Sequence, residues 1–177
     1  MRLFVAVWPD DGTAQRLSAL KLDPTDDLRP VGPGSWHVTL RFLGEVGDDR
    51  VPALVEALDA TAANRLGAIR CRVGPKTAWF GDRVLQIPAR GLEDLAAAVH
   101  SATIPAIPVR SDHQPRFNGH LTIARTRGRR LDPSARRALA GIPFTADFDV
   151  DSFDLVASES SRRGRRYTTV ATVWLRG

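Results

Sequence analysis

The sequence predicts an α+β fold of mainly antiparallel strands arranged as two lobes, and three observations carry that reading. First, His37-Val38-Thr39-Leu40 and His120-Leu121-Thr122-Ile123 repeat one pattern at a separation close to half of the 177-residue chain. Second, the apolar periodicities run strand, helix, strand, helix, strand, strand, helix, strand, helix, strand, strand, which lacks the strict alternation of a parallel sheet. Third, no linker or low-complexity stretch divides the chain. The expectation is one domain over residues 1–177 made of two interleaved lobes, each built round one His-x-Thr strand.

Taken in order, residues 2 to 8 alternate and stop at Pro9, as a strand does, and the run is too short and strand-like for a signal peptide. Asp10-Asp11-Gly12-Thr13 supplies caps for a short helix to about Leu20. Lys21 to Gly34, rich in Pro, Asp and Gly, reads as a loop into the first motif strand. Asp48-Asp49 opens a helix with Leu54, Val55, Leu58 and Ala62 on one face. Strands follow over about Ala68 to Ala78 and Arg83 to Ile87, joined through a turn at Gly81-Asp82. Leu92, Leu95, Ala96 and Val99 then mark a helix whose last turn holds His100, a basic group suited to the helix dipole. Ile104 to Gly119, with three prolines, is mostly loop with a short edge strand at 107 to 110, and its His113 is read as solvated. Asp132-Pro133 caps a helix over 134 to 140. The rest reads as a hairpin, Phe144 to Ala157 against Tyr167 to Leu175, joined by Ser158 to Arg166.

Composition narrows the function. No run of about 18 apolar residues is present, so no membrane partner is expected. The single Cys71 excludes an internal disulfide framework, fits a reducing cytoplasm, and is read as packing. Net charge is +5, and of the 25 basic residues only Lys21 and Lys76 are lysines. Arginine's planar fork suits phosphate oxygens. Arg162, Arg163, Arg165 and Arg166 cluster in the final connection, where they either hold an RNA backbone or guard a hairpin tip against edge pairing.

The chemistry lies in the repeat. As strands, both copies have period two: Val38, Leu40 and Phe42 form one apolar face and His37, Thr39 and Arg41 the polar one, while His120 and Thr122 lie opposite Leu121 and Ile123. Two such strands side by side present two titratable imidazoles and two hydroxyl donors, as an oxyanion or phosphate site with acid and base requires. Arg125 has the wrong parity for that face, so for it to reach a phosphate the strand must end, twist or bulge near Ala124. Arg41 has the right parity and is the reserve. Trp36, Trp79 and Phe80 are candidates for base stacking, with core packing as the competing role.

The opening Arg2-Leu3-Phe4-Val5-Ala6-Val7, the block Trp36 to Gly44, His120 to Arg125, and the tail Leu155-Val156-Ala157-Ser158 with Gly164-Arg165-Arg166-Tyr167 resemble the two-histidine (2H) phosphoesterases. Within them the chain is similar to the LigT-like RNA 2′,3′-cyclic phosphodiesterases. One departure is Asn118-Gly119 before His120, where the family commonly has a proline. The resemblance implies a bilobal fold with pseudo-twofold symmetry and a central cleft holding both motifs. The implied reaction opens an RNA 2′,3′-cyclic phosphate end to a 2′-phosphate with no metal and no cofactor, with 2′-5′ RNA ligation as a side activity. It further implies His120 as general base, His37 as general acid, Thr39 and Thr122 as donors to the phosphate, and Arg125 as charge stabiliser. The expected partners are RNA ends or cyclic nucleotides, and the expected form is a monomer.

Three rivals stand beside this. A metal hydrolase is disfavoured because no H-x-x-x-H or C-x-x-C spacing exists. A non-catalytic RNA-binding module would use the arginine connection alone. The same chemistry on small cyclic nucleotides or 2′,5′-linked oligonucleotides keeps the residues and changes the substrate.

Overall fold

The computed structural model describes residues 1–22, 27–63, 69–107, 116–128, 131–161 and 164–175. Ten strands, β1 (Arg2–Val7), β2 (Leu28–Pro30), β3 (Val38–Glu45), β4 (Ile69–Val73), β5 (Ala78–Phe80), β6 (Val84–Arg90), β7 (His120–Thr126), β8 (Ala146–Val150), β9 (Ser152–Ser161) and β10 (Gly164–Trp174), form a curled antiparallel sheet. Their main order is β10-β9-β1-β3-β7-β6-β4-β8, with β2 added to β7 and β5 to β6. Among the described residues four α-helices accompany them: α1 (Asp11–Ser18), α2 (Val51–Ala63), α3 (Glu93–Thr103) and α4 (Pro133–Leu139). The α+β, mainly antiparallel expectation therefore holds.

Two of the helices start at the caps that the sequence marks. Asp10 accepts from Thr13 N at 2.7 Å, and Asp132 accepts from Ser134 N at 3.0 Å and Ala135 N at 3.2 Å, satisfying first-turn amides that have no partner inside the helix. Leu54 and Leu58 of α2 and Leu95 and Val99 of α3 are wholly buried beside Leu3, Val5 and Val7 of β1 and Val38 and Leu121 of the motif strands. Each such side chain adds roughly 1.5–3 kcal/mol by leaving water. Cys71 belongs to this core, and burial pushes its thiol up to about 12, as expected of a packing cysteine.

Three expectations change. The segment read as one strand from Phe144 to Ala157 is split at Asp151: β8 pairs with β4, whereas β9 pairs with β1 and β10. No glycine or proline marks the break; its trace is the polar pair Asp151-Ser152, where the alternation slips by one residue, from Ala146, Phe148 and Val150 to Phe153 and Leu155. Likewise the stretch from Ala68 to Ala78 divides into β4 and β5, with Gly74-Pro75 between them. The arginine connection is not a long loop, because β9 continues to Ser161 and β10 begins at Gly164. The edge strand at 107 to 110 and His113 fall outside the described residues, apart from Ile107, which is a bend.

Candidate active site

The two motif strands are neighbours in mid-sheet, β3 against β7, registered at a single pair, Val38 with Leu121. Both of these side chains are fully buried. Carried one residue either way, that register sets His37 opposite Thr122 and Thr39 opposite His120, all on the other face. Those four residues line one cleft together with Arg125, as the paired motifs predicted.

Arg125 reaches the cleft through a bulge, one of the three ways its parity left open. On β7, Thr122 faces Gln86 and Ala124 faces Leu85, leaving Ile123 as the extra residue. Beyond it the alternation is reset, Ala124 sinks into the core and Arg125 turns outward. The same device on β3 overturns a second expectation. Thr39 faces Ala6 and Arg41 faces Val5, so Leu40 is the extra residue. Phe42, assigned to the apolar face, is 69% exposed and lines the cleft, while Arg41 is 8% exposed and points away from it. The Arg41 guanidinium donates to His100 O at 2.7 Å and to Thr103 Oγ1. It therefore serves the last carbonyls of α3, the place expected for His100. Partial burial, and next Arg41 itself, hold His100 below its ordinary value.

Each motif histidine is held by the carbonyl two residues before it: His37 Nδ1 donates to Ser35 O at 2.9 Å and His120 Nδ1 to Asn118 O at 2.8 Å. A carbonyl only accepts, so Nδ1 carries the hydrogen and each neutral ring keeps Nε2 for chemistry. Gly119, in the dipeptide that departs from the family pattern, lets β7 approach β6, since a Cβ there would lie 2.5 Å from Ala89 O. The surroundings of the rings differ. Phe4, Trp8 and Tyr167 surround His37 at centroid distances of 4.9, 5.3 and 5.1 Å. Burial above all, with smaller contributions from Arg125 and His120, lowers its pKa from 6.5 to about 4, although the Ser35 hydrogen bond opposes this. Trp8 is fixed in turn by donating Nε1 to Asp154 Oδ2 at 2.9 Å. His120 is half-buried and carries one ring, Phe80, stacked at 5.1 Å.

The other candidates separate clearly. Trp36 is 6% exposed and belongs to the core, so it offers no stacking face; its position beside His37 reflects packing. Trp79 donates to Arg136 O at 2.9 Å and is covered by the Arg136 guanidinium, which ties it to α4. Arg165 lines the cleft, whereas Arg166 follows it on a strand and takes the opposite face, across from Glu159. Arg162 and Arg163 lie outside the described residues. Sequence reasoning missed Phe4, Trp8, Tyr167, Phe42 and Arg2 as cleft or cage residues. For Phe4 and Trp8 the signal existed: with Ala6 they form the second face of a strand buried on both sides.

Two imidazoles with free Nε2 atoms, two hydroxyls and a guanidinium around one cleft can move protons and hold an anion, so fold and site together define a phosphoesterase. The family described as LigT like Phosphoesterase matches residues 7–72. A Thermus thermophilus RNA 2′,3′-cyclic phosphodiesterase is 31% identical over all of this chain and 91% of its own length. A crystal structure of a Thermus thermophilus protein superposes with a TM-score of 0.83 at 28% identity, covering 100% of this chain and 99% of that one. Escherichia coli LigT, crystallised with 3′-AMP, gives 0.75 at 25% identity over 98% and 97%. The chain belongs to the LigT-like family of 2H phosphoesterases. Among the described residues no helix is long and apolar enough to cross a membrane.

Proposed function

We propose that this chain hydrolyses RNA 2′,3′-cyclic phosphate ends to 2′-phosphates, with His37 and His120 as its acid and base. The observation that carries the reading is the matched pair of imidazoles, each fixed through Nδ1 to the carbonyl two residues back and each lining the cleft that holds Arg125. The relatives' activity supports it.

In this reading His120 Nε2 takes a proton from water, the water oxygen bonds to phosphorus, and the bond from phosphorus to the 3′ oxygen breaks. His37 gives its proton to that oxygen, leaving the 2′-phosphate. Thr39 and Thr122 donate to the non-bridging oxygens and Arg125 offsets the growing negative charge. Free His37, with a pKa of about 4, is neutral near pH 7. The negative phosphodiester, brought in beside Arg125, favours the imidazolium and raises that value, so substrate prepares its own acid. Acid and base at about 10²–10⁴-fold each and an oxyanion donor at about 10²–10³-fold suffice for the reaction without a resident metal. The same step with a ribose 5′-hydroxyl in place of water as the nucleophile forms a 2′-5′ linkage and frees the 3′ hydroxyl, the side activity proposed. The continuous order of strands, with β10-β9-β1-β3 and β7-β6-β4-β8 meeting at Val38 and Leu121, supports two lobes related by a pseudo-twofold axis at that pair. A single domain, acting as a monomer in the cytoplasm, completes the proposal.

The test is hydrolysis of an RNA oligomer ending in a 2′,3′-cyclic phosphate, in excess EDTA, by wild type, His37→Ala and His120→Ala. Metal-free formation of a 2′-phosphate that both substitutions abolish is expected. Turnover surviving either substitution, or absent from the folded wild type, overturns the reading.

A further inference from the structure

A second groove leaves the cleft between the segment holding Gly32 and Ser35 and the strand holding Arg165, and it shares Arg2, Arg125 and Arg165 with the cleft itself. Three other described surface arginines, Arg70, Arg72 and Arg136, each pair with a carboxylate, that of Asp149, Asp147 and Asp82 in turn. Among the described residues none of Arg2, Arg125 and Arg165 has such a partner. Like charges gathered together repel one another: burial first, and then Arg165, disfavour the charged form of Arg125, with Tyr167 opposing them. A fold tolerates that conflict where a ligand relieves it. The strand alternation is selective too, since Arg165 faces the groove and Arg166 does not. The cleft's other exit, toward α3, is lined by Ala96, Ala97 and Phe117, and Glu93 accompanies its Arg116. The other guanidinium of that exit, Arg41, is engaged by His100 O and Thr103 Oγ1, so its apolar wall suits a base.

We propose that the groove at Arg2 and Arg165 is a second phosphate subsite, which takes the phosphate joining the terminal nucleotide to the preceding one in an RNA strand. This rests on the reaction proposed above, which puts the terminal cyclic phosphate between the histidines. The strand then leaves the cleft along the arginine side, and a dinucleotide end is preferred to a cyclic mononucleotide.

Binding decides this independently of turnover. Calorimetry compares adenosine 2′-phosphate, adenosine 2′,5′-bisphosphate and the dinucleotide ApA carrying a 2′-phosphate, at fixed salt, with wild type, Arg165→Gln and Arg166→Gln. The dinucleotide is expected to bind about tenfold more tightly than adenosine 2′-phosphate, the size of one charge-assisted contact. Arg165→Gln collapses that ratio and Arg166→Gln, with equal loss of charge on the opposite face, preserves it. Equal affinities, or an equal collapse in Arg166→Gln, overturn the subsite. A gain for the bisphosphate without one for the dinucleotide overturns its assignment to an RNA strand. Turnover of the matching cyclic esters is measured alongside: binding with the expected ratio but no hydrolysis upholds the subsite and removes the reaction.

Discussion

The His37 and His120 stations share a backbone and differ in what fills it. Both strands bulge at the residue after the motif threonine, Leu40 in one and Ile123 in the other. Both bulges therefore bury the fourth residue after the histidine, Arg41 or Ala124, and turn the fifth into the cleft. That fifth residue is Phe42 on one side and Arg125 on the other. Around the rings the contrast continues, with three aromatic rings closing on His37 and one stacked on His120. A repeated scaffold thus carries unequal surroundings, an aromatic station whose imidazole is depressed chiefly by burial and a second with one stacked ring.

The largest effects come from removing the rings themselves. His37→Ala and His120→Ala should each lower kcat by about 10²–10⁴-fold with the fold intact by circular dichroism. A variant losing less than tenfold would show that its station is dispensable. Next, Arg125→Gln should cost about 10²–10³-fold, and adding Phe42→Arg should recover less than tenfold of it. The added cation would stand near a ring that burial and Arg125 already hold low. Full recovery would make the stations interchangeable and break the comparison.

The difference also sets pH behaviour. If His37 is the acid, kcat/KM, which reports free enzyme, should decline with rising pH from a lower limb than kcat, which reports the complex. Trp8→Leu, by opening the cage, should move the kcat/KM limb upward; coincident limbs in wild type would remove the role given to the substrate's charge. In stability the sign is fixed. The unfolded chain protonates His37 near 6.5 and the folded one near 4, so stability present above about pH 6.5 is lost as pH falls through about 4. The loss is at most about 3 kcal/mol, reduced because the ring is only partly buried. Urea unfolding of His37→Gln between pH 4 and 6.5 should lack that part of the slope, and equal slopes would place the depression elsewhere.

Much of this is legible in the sequence because His-x-Thr on a strand fixes which side chains share a face. Arg125 even signals an irregularity, since a cation of the wrong parity reaches the cleft only where its strand ends, twists or bulges. The matching bulge at Leu40 leaves no such trace: Phe42 and Arg41 both fit simple alternation, which puts both on the wrong face. Trp36 misleads because adjacency to His37 in sequence says nothing of depth, and the side chain is sunk in the core. The aromatic cage escapes notice because it is assembled across elements, Phe4 and Trp8 from one end of the chain and Tyr167 from the other.

That long-range assembly bears on biosynthesis. Leu3 pairs with Ala157, and Tyr167 meets His37 only through β10 beyond it. On the ribosome, β1 emerges long before β9, and its β9 edge stays uncovered until Asp154 to Ala157 have been made. Such a nascent chain is slow to fold and exposes a bare apolar strand to other chains. The same delay keeps the Tyr167 ring off His37 until the β9–β10 hairpin docks, so a prematurely terminated product has an incomplete cage even where both motif strands have been made.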